Sequence, residues 1–258
     1  METILNHPWV LGSILAIVLA LALELGHRVA VYTSLHKEQD RKDQMATIRD
    51  GLFVLISLLL GFTLALASPR YAERRSLRVE EAISIGTTYL RASTLPSPYR
   101  EHARHLLREY VDTRFEFGNA GLDADRFAKA INHSKRIQEE LWVDASSVAQ
   151  VDRSAVTAVY INSLNETIDL HEKRVAAREN RVPRSVWLLI ISISVIAVFT
   201  RGLTLTARFW LTLILVPITI AIVVALIADL DTTSTGLIRL DQRALERLKV
   251  DLNAEPTH

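Results

Sequence analysis

Four stretches of the sequence carry almost no charge, and charged residues bound each of them. The first runs from Pro8 to Leu23 and, past an isolated Glu24, continues to about Val31. The second is Gly51 to Ser68, the third Ser185 to Thr200 and the fourth Phe209 to Ala228. A hydrocarbon core of roughly 30 Å needs about 20 apolar residues at about 1.5 Å each. The fourth stretch meets that length. The third has 16 residues between Arg184 and Arg201, about 24 Å of helix, so both arginines are expected to snorkel towards the headgroups. These runs predict four membrane-spanning helices in two hairpins, at about 8–31, 51–68, 185–200 and 209–228.

Between the hairpins the period changes. Residues 69–184 carry helical patterning throughout, with breaks at Pro96-Ser97-Pro98, at Gly118 to Gly121, around Val151-Asp152 and at Pro183. Val79, Ile83, Gly86 and Leu90 make one helical stripe; Phe127, Ile131, Ser134, Ile137, Leu141, Ala145 and Val148 make a second. Ile161, Leu164, Ile168, His171 and Val175 make a third, and Ala103, Leu106, Tyr110 and Phe115 mark a shorter helix. The expected fold class is all-α: a first transmembrane hairpin over 1–68, an antiparallel helical bundle over 69–184, a second hairpin over 185–228 and a tail over 229–258.

Composition narrows the chemistry. With no cysteine in the chain, disulfides, thiolate catalysis and cysteine-ligated metal are out. A net charge of +1 with acids and bases interspersed gives no nucleic-acid signature. Ala20-Leu21-Ala22 resembles a cleavage site, but Met1 to Trp9 holds no lysine or arginine, so the first segment is expected to be a retained helix. Near the bundle side of the membrane stand Arg70, Arg74, Arg75, Arg78, Lys173, Arg174, Arg178, Arg181, Arg184, Arg239, Arg243 and Arg247. The other side has Arg28, Lys37, Arg41, Lys42, Arg49, Arg201 and Arg208. The positive-inside rule then places the bundle and both termini in the cytoplasm.

Several residues are candidates for function. On the second apolar stretch Leu52, Leu55, Leu59, Phe62 and Leu66 form a bulky face, whereas Asp50, Val54, Ser57, Gly61, Ala65 and Ser68 form a small, partly polar one. That small face suits a pore lining, with Asp50 in a ring at the outer mouth attracting cations; the structural alternative, and the safer one, is a small-residue packing seam through Ser57, Gly61 and Ala65. Glu24 lies inside a membrane segment, a site hypothesis by default, but Arg28 four residues on offers local neutralisation. Asp229 and Asp231 close the last membrane helix against its macrodipole, and Arg74 or Arg75 could supply the cation they want. A bound cation is the sharper alternative there, although calcium takes six to eight oxygens. His171, with Glu172 beside it, is either a buried histidine satisfied by an acid or a proton-sensing gate. Glu101, His105 and Glu109 line one helix face that is expected to be solvated.

Certain phrases resemble the bestrophin-like domain family of bacterial membrane proteins. They are Leu60-Gly61-Phe62-Thr63 leading to Arg70-Tyr71-Ala72-Glu73-Arg74-Arg75, and Glu80-Glu81-Ala82 with Ile85-Gly86-Thr87-Thr88-Tyr89-Leu90-Arg91. Further on come Leu164-Asn165-Glu166-Thr167-Ile168-Asp169-Leu170-His171-Glu172-Lys173-Arg174, Asn180-Arg181-Val182-Pro183, Asp229-Leu230-Asp231 and Gly236-Leu237-Ile238-Arg239. The resemblance implies a homo-oligomeric ion channel of the bacterial plasma membrane, with the second helix of each subunit lining a central pore. Bestrophins carry a dense run of acids after the last membrane helix; here the segment is Asp229-Leu230-Asp231-Thr232-Thr233-Ser234, so calcium gating is not expected to carry over. Their aromatic neck is also missing, since the second helix has only Phe53 and Phe62.

Two functions follow. One is a passive channel whose partners are other copies of itself, the bilayer and small inorganic ions, without cofactor or metal. The other is a non-conducting membrane-anchored scaffold or sensor. Neither a nucleophile–base pair nor a metal-ligand cluster is apparent, so no enzyme is expected.

Overall fold

The computed structural model describes residues 7–33, 39–205, 210–232, 236–238 and 240–254. Of the residues weighed above, Lys37, Arg208, Phe209, Thr233, Ser234 and Arg239 lie outside these. The described residues form helices α1 (Pro8–Tyr32), α2 (Gln39–Ala92), α3 (Tyr99–Asn119), α4 (Ala124–Val151), α5 (Ala155–Glu179), α6 (Arg184–Leu203), α7 (Trp210–Asp231) and α8 (Arg243–Ala254). The chain divides into two compact units: residues 1–70 with 181–238, and residues 71–180 with 239–258.

Among the described residues, the first unit contains four helical segments long and apolar enough to cross a membrane. Leu11, Leu15, Leu19 and Leu23 recur every four residues along α1 and pack with Ala197 and Val198 of α6 and Val224 and Ile227 of α7. Ile56, Leu60 and Ala67 of α2 join the same core. Trp9, Ile14, Ile17 and Leu21 of α1, and Leu215, Ile218 and Ile222 of α7, face outwards. An apolar outer face is what a helix in hydrocarbon presents.

Glycine sets the closest approach in this unit. A Cβ on Gly26 would overlap the carbonyl oxygen of Phe199, and one on Gly202 would overlap that of Leu23. The backbones of α1 and α6 therefore touch, as small residues allow between membrane helices. At the other end of α1, a Cβ on Gly12 would come within 2.9 Å of the Ala225 side chain on α7.

The second unit is a helical bundle. Its core gathers Ile85 and Tyr89 of α2, Leu106, Leu107 and Tyr110 of α3, Ile137 and Leu141 of α4, and Tyr160 and Leu164 of α5. The breaks are chemically ordinary. α4 opens on Asp123, whose carboxylate accepts the Arg126 N–H at 2.9 Å. Gly121 just before it has φ +57°, a conformation that suits glycine.

Two findings correct the sequence reading. The C-terminal segment is no separate tail: Leu245 and Leu252 of α8 lie in the bundle core. And the stripe Val79–Ile83–Gly86–Leu90 is not the inward face, because Val79, Ile83 and Leu90 are 44%, 64% and 63% exposed. The inward face of this part of α2 holds Glu81, Ser84, Ile85, Thr88 and Tyr89. Polar residues can occupy it because each has a partner. Ser84 and Thr88 share hydrogen bonds of 2.9 Å with the Thr167 hydroxyl, and Thr88 also donates to the Ser163 carbonyl at 2.9 Å.

Candidate pore-lining helix and charged sites

Along α2 in the first unit, the side that meets the rest of the unit is Ile56, Leu60, Thr63 and Ala67, all buried. Thr63 loses its polarity by donating to the Leu59 carbonyl at 2.7 Å. Both predicted faces point away from that contact to some degree. Asp50, Val54, Ser57, Gly61, Ala65 and Ser68 are all exposed within the chain, and so are Leu55, Phe62 and Leu66 of the bulky face. Nothing lies within 4 Å of a Cβ placed on Gly61. Within one subunit, then, the small face is not a packing seam, and the close glycine contacts fall on α1 and α6.

Ser57 donates to the Phe53 carbonyl at 2.9 Å, leaving its oxygen lone pairs outward. A groove of about 530 Å³ runs beside this face, between α2 and α7, with Ser57, Gly61, Leu215 and Thr219 among its walls. Asp50 differs from expectation. Its carboxylate is bound by the neighbouring Arg49 at 2.8 Å, and Arg49 also donates to the Thr204 hydroxyl at 3.1 Å. An Asp50 ring would thus be a ring of ion pairs, with much of its field cancelled at short range.

Glu24 pairs with Arg28 at 2.8 Å, one helical turn on. Three members of the predicted interface cluster, Arg74, Asp229 and Asp231, have partners within their own units. In the second unit Arg74 is buried and donates to the carbonyls of Ala177 at 3.0 Å and Asn180 at 3.1 Å, capping the C-terminal end of α5. Arg75 is exposed. In the first unit Asp229 accepts the N–H groups of Leu237 at 3.1 Å and Ile238 at 3.2 Å. A side chain on Gly236, at φ +141°, would overlap that carboxylate. Asp231 accepts the Val182 N–H at 3.0 Å.

His171 belongs to the second unit, outside the four apolar stretches. It is fully buried, and neither ring nitrogen has a hydrogen-bond partner among the described residues. Burial, then the positive charges of Arg114, Lys135 and Arg174, pushes its pKa down to about 3. The ring is neutral throughout the physiological range, which removes the expected proton-sensing role near neutral pH. Glu172 does not satisfy it. That carboxylate is exposed, 4.0 Å from the imidazole, and pairs with Lys135 at 3.4 Å. Nor is the Glu101–His105–Glu109 face uniformly solvated, since Glu109 binds His133 at 2.8 Å.

The sequence reading missed the most deeply buried charges. Glu81 is fully buried between Arg114, at 2.8 Å, and Arg174. Arg114 lies over the Phe117 ring at 4.1 Å, and Arg174 over the same ring at 5.1 Å. Arg78, also buried, donates to the Leu240 carbonyl at 2.9 Å. The one signal available was that Glu81 and Arg174 stand within the quoted family phrases.

The family model for the Bestrophin-like domain matches residues 13–245. The chain belongs to the bestrophin-like domain family. Solved structures agree on the fold of this bestrophin-like chain. A crystal structure of a bacterial bestrophin homologue from Klebsiella pneumoniae, a single-residue variant, superposes with a TM-score of 0.70. It shares 14% identity and covers 93% of this chain and 99% of its own. A crystal structure described only as a membrane protein gives a TM-score of 0.68 at 15% identity, covering 93% of this chain and 98% of that one. No functionally curated protein matches. With its four apolar helical segments, the bestrophin-like chain is a membrane protein.

Proposed function

We propose that the chain is the subunit of a homo-oligomeric channel that lets small ions cross the plasma membrane passively. The pore is lined by the Asp50–Val54–Ser57–Gly61–Ala65–Ser68 face of α2. One observation carries this reading: a small, partly polar face that the subunit itself leaves open, on an apolar stretch of α2 that also turns Leu55, Leu58, Phe62 and Leu66 outwards. Hydrocarbon is a poor solvent for Ser57, Ser68 and Asp50, so a wet path or a neighbouring subunit is the better environment. Family membership supports the same reading. Selectivity for cations does not rest on Asp50, given its pairing with Arg49.

Gly61→Leu tests the lining. The side chain has room within the subunit, so the assembly should stay intact while ion flux into liposomes falls at least tenfold. Unchanged flux through an intact assembly would exclude the face from the pore. Dissociation of the assembly would make the face a seam between copies and favour the non-conducting scaffold.

Orientation is part of the proposal: bundle and both termini on the cytoplasmic side, following the arginine asymmetry. Ser97 is exposed in the bundle of a chain with no cysteine. Ser97→Cys should resist a membrane-impermeant maleimide in intact cells and react after lysis. Reaction before lysis would invert the topology.

A further inference from the structure

The outward stripe on α2 in the second unit has a definite spacing. Ala72, Ser76, Val79, Ile83, Gly86 and Leu90 follow one another at intervals of four, three, four, three and four residues. That is a 3.5-residue repeat, the period with which one helix keeps the same seam against a second. Ala72, Ser76, Val79, Ile83 and Leu90 are exposed, whereas Gly86 is half-buried at the edge of the stripe, where a Cβ would meet Leu248 of α8 at 3.1 Å. Exposed apolar side chains are common singly, but a row along one helix in the water-facing unit marks a contact surface.

We infer that this stripe is where copies of the chain meet, each α2 packing along the same segment of α2 in the neighbouring copy. The inference rests on the homo-oligomeric reading above. Copies inserted alike in one membrane are related by an axis along its normal, so equivalent helices run parallel around that axis. Parallel seams set the residue just before one seam position opposite the residue five further on in the neighbour. Here those positions are Arg75 and Glu80, oppositely charged and both exposed. Among the described residues Arg75 makes no ion pair within its own chain, and Glu80 accepts only the Ser76 hydroxyl, at 2.6 Å. The helix therefore carries both halves of a charge pair that a second copy, and not an unrelated surface, completes.

The absence of cysteine makes the test direct. Single cysteines replace Ile83, Leu90 or, as a control, the partly exposed Ser147 on α4, and a short bismaleimide is added to native membranes. Ile83→Cys and Leu90→Cys should give covalent dimers at least tenfold above Ser147→Cys. Glu80→Arg should lower the Ile83→Cys yield severalfold, and adding Arg75→Glu should restore it. Light scattering on the unmodified protein separates the failures. An oligomer without cross-linking at Ile83 and Leu90 overturns the seam and leaves the channel reading standing. Monomer alone removes both.

Discussion

Gly26→Leu is expected to eliminate the folded protein from membranes. At Gly26 even a methyl group would overlap the Phe199 carbonyl oxygen and come within 3.1 Å of the Gly202 Cα. On the opposite helix, a Cβ on Gly202 would overlap the Leu23 carbonyl and come within 2.9 Å of the His27 nitrogen. Both obstacles are backbone, which cannot rotate away as a side chain can. Overpacking a core ordinarily costs about 1–3 kcal/mol, but that range assumes neighbours able to yield. Here leucine would have to push α1 off α6, and with it the Leu19 and Leu23 contacts to Ala197 and Val198. In hydrocarbon, close packing is itself the main drive for helix association, so little remains to hold the separated pair. Size-exclusion profiles of detergent extracts measure the result. Gly51→Leu, at a glycine with nothing within 4 Å of its Cβ, should accumulate normally. A Gly26→Leu protein with parental yield and profile would mean that α1 and α6 do not touch there.

How much of this was legible in the sequence depends on the range of the interaction. The four apolar stretches could be read because missing charge over 16 or more residues is a local, additive signal. The Glu24–Arg28 pair could be read because its partners sit one turn apart. The Arg49–Asp50 pair was not read although the partners are adjacent: spacing drew attention to the face of α2, and Arg49 lies off that face. The inward face of α2 in the bundle could not be read from apolarity, because Glu81, Ser84 and Thr88 are buried against residues far along the chain. The hydrophobic pattern instead picked out Val79, Ile83 and Leu90, which the subunit leaves outside. For His171 the burial followed from helical spacing. The missing acid did not, since Glu172 turns to Lys135. Which glycines are contacts was likewise illegible: Gly26 and Gly61 look alike in sequence and differ wholly in what lies opposite.

Glu81→Ala should destabilise the bundle by about 3–5 kcal/mol, the cost of breaking a buried ion pair by removing one side. The size follows from what is left behind. Arg114 and Arg174 are both buried, and Glu81 is the carboxylate they share. Without it two guanidinium groups stay out of water, with the Phe117 and Tyr110 rings and the Ser134 hydroxyl near them but no carboxylate among the contacts described. A cation over a desolvated aromatic ring recovers about 2 kcal/mol, less than the loss. His171 cannot help, because it is neutral and buried beside the same positive charges. Thermal unfolding of the purified protein, followed by helical signal, reads the change. The informative comparison is Glu81→Met with Arg114→Met and Arg174→Met. Removing the whole charged group avoids the uncompensated charges, so the triple variant should be more stable than Glu81→Ala alone, as replacing buried ion clusters by apolar side chains often is. If instead the triple variant is the less stable by roughly the sum of the single losses, the cluster contributes net attraction, and its desolvation is already offset in the folded bundle.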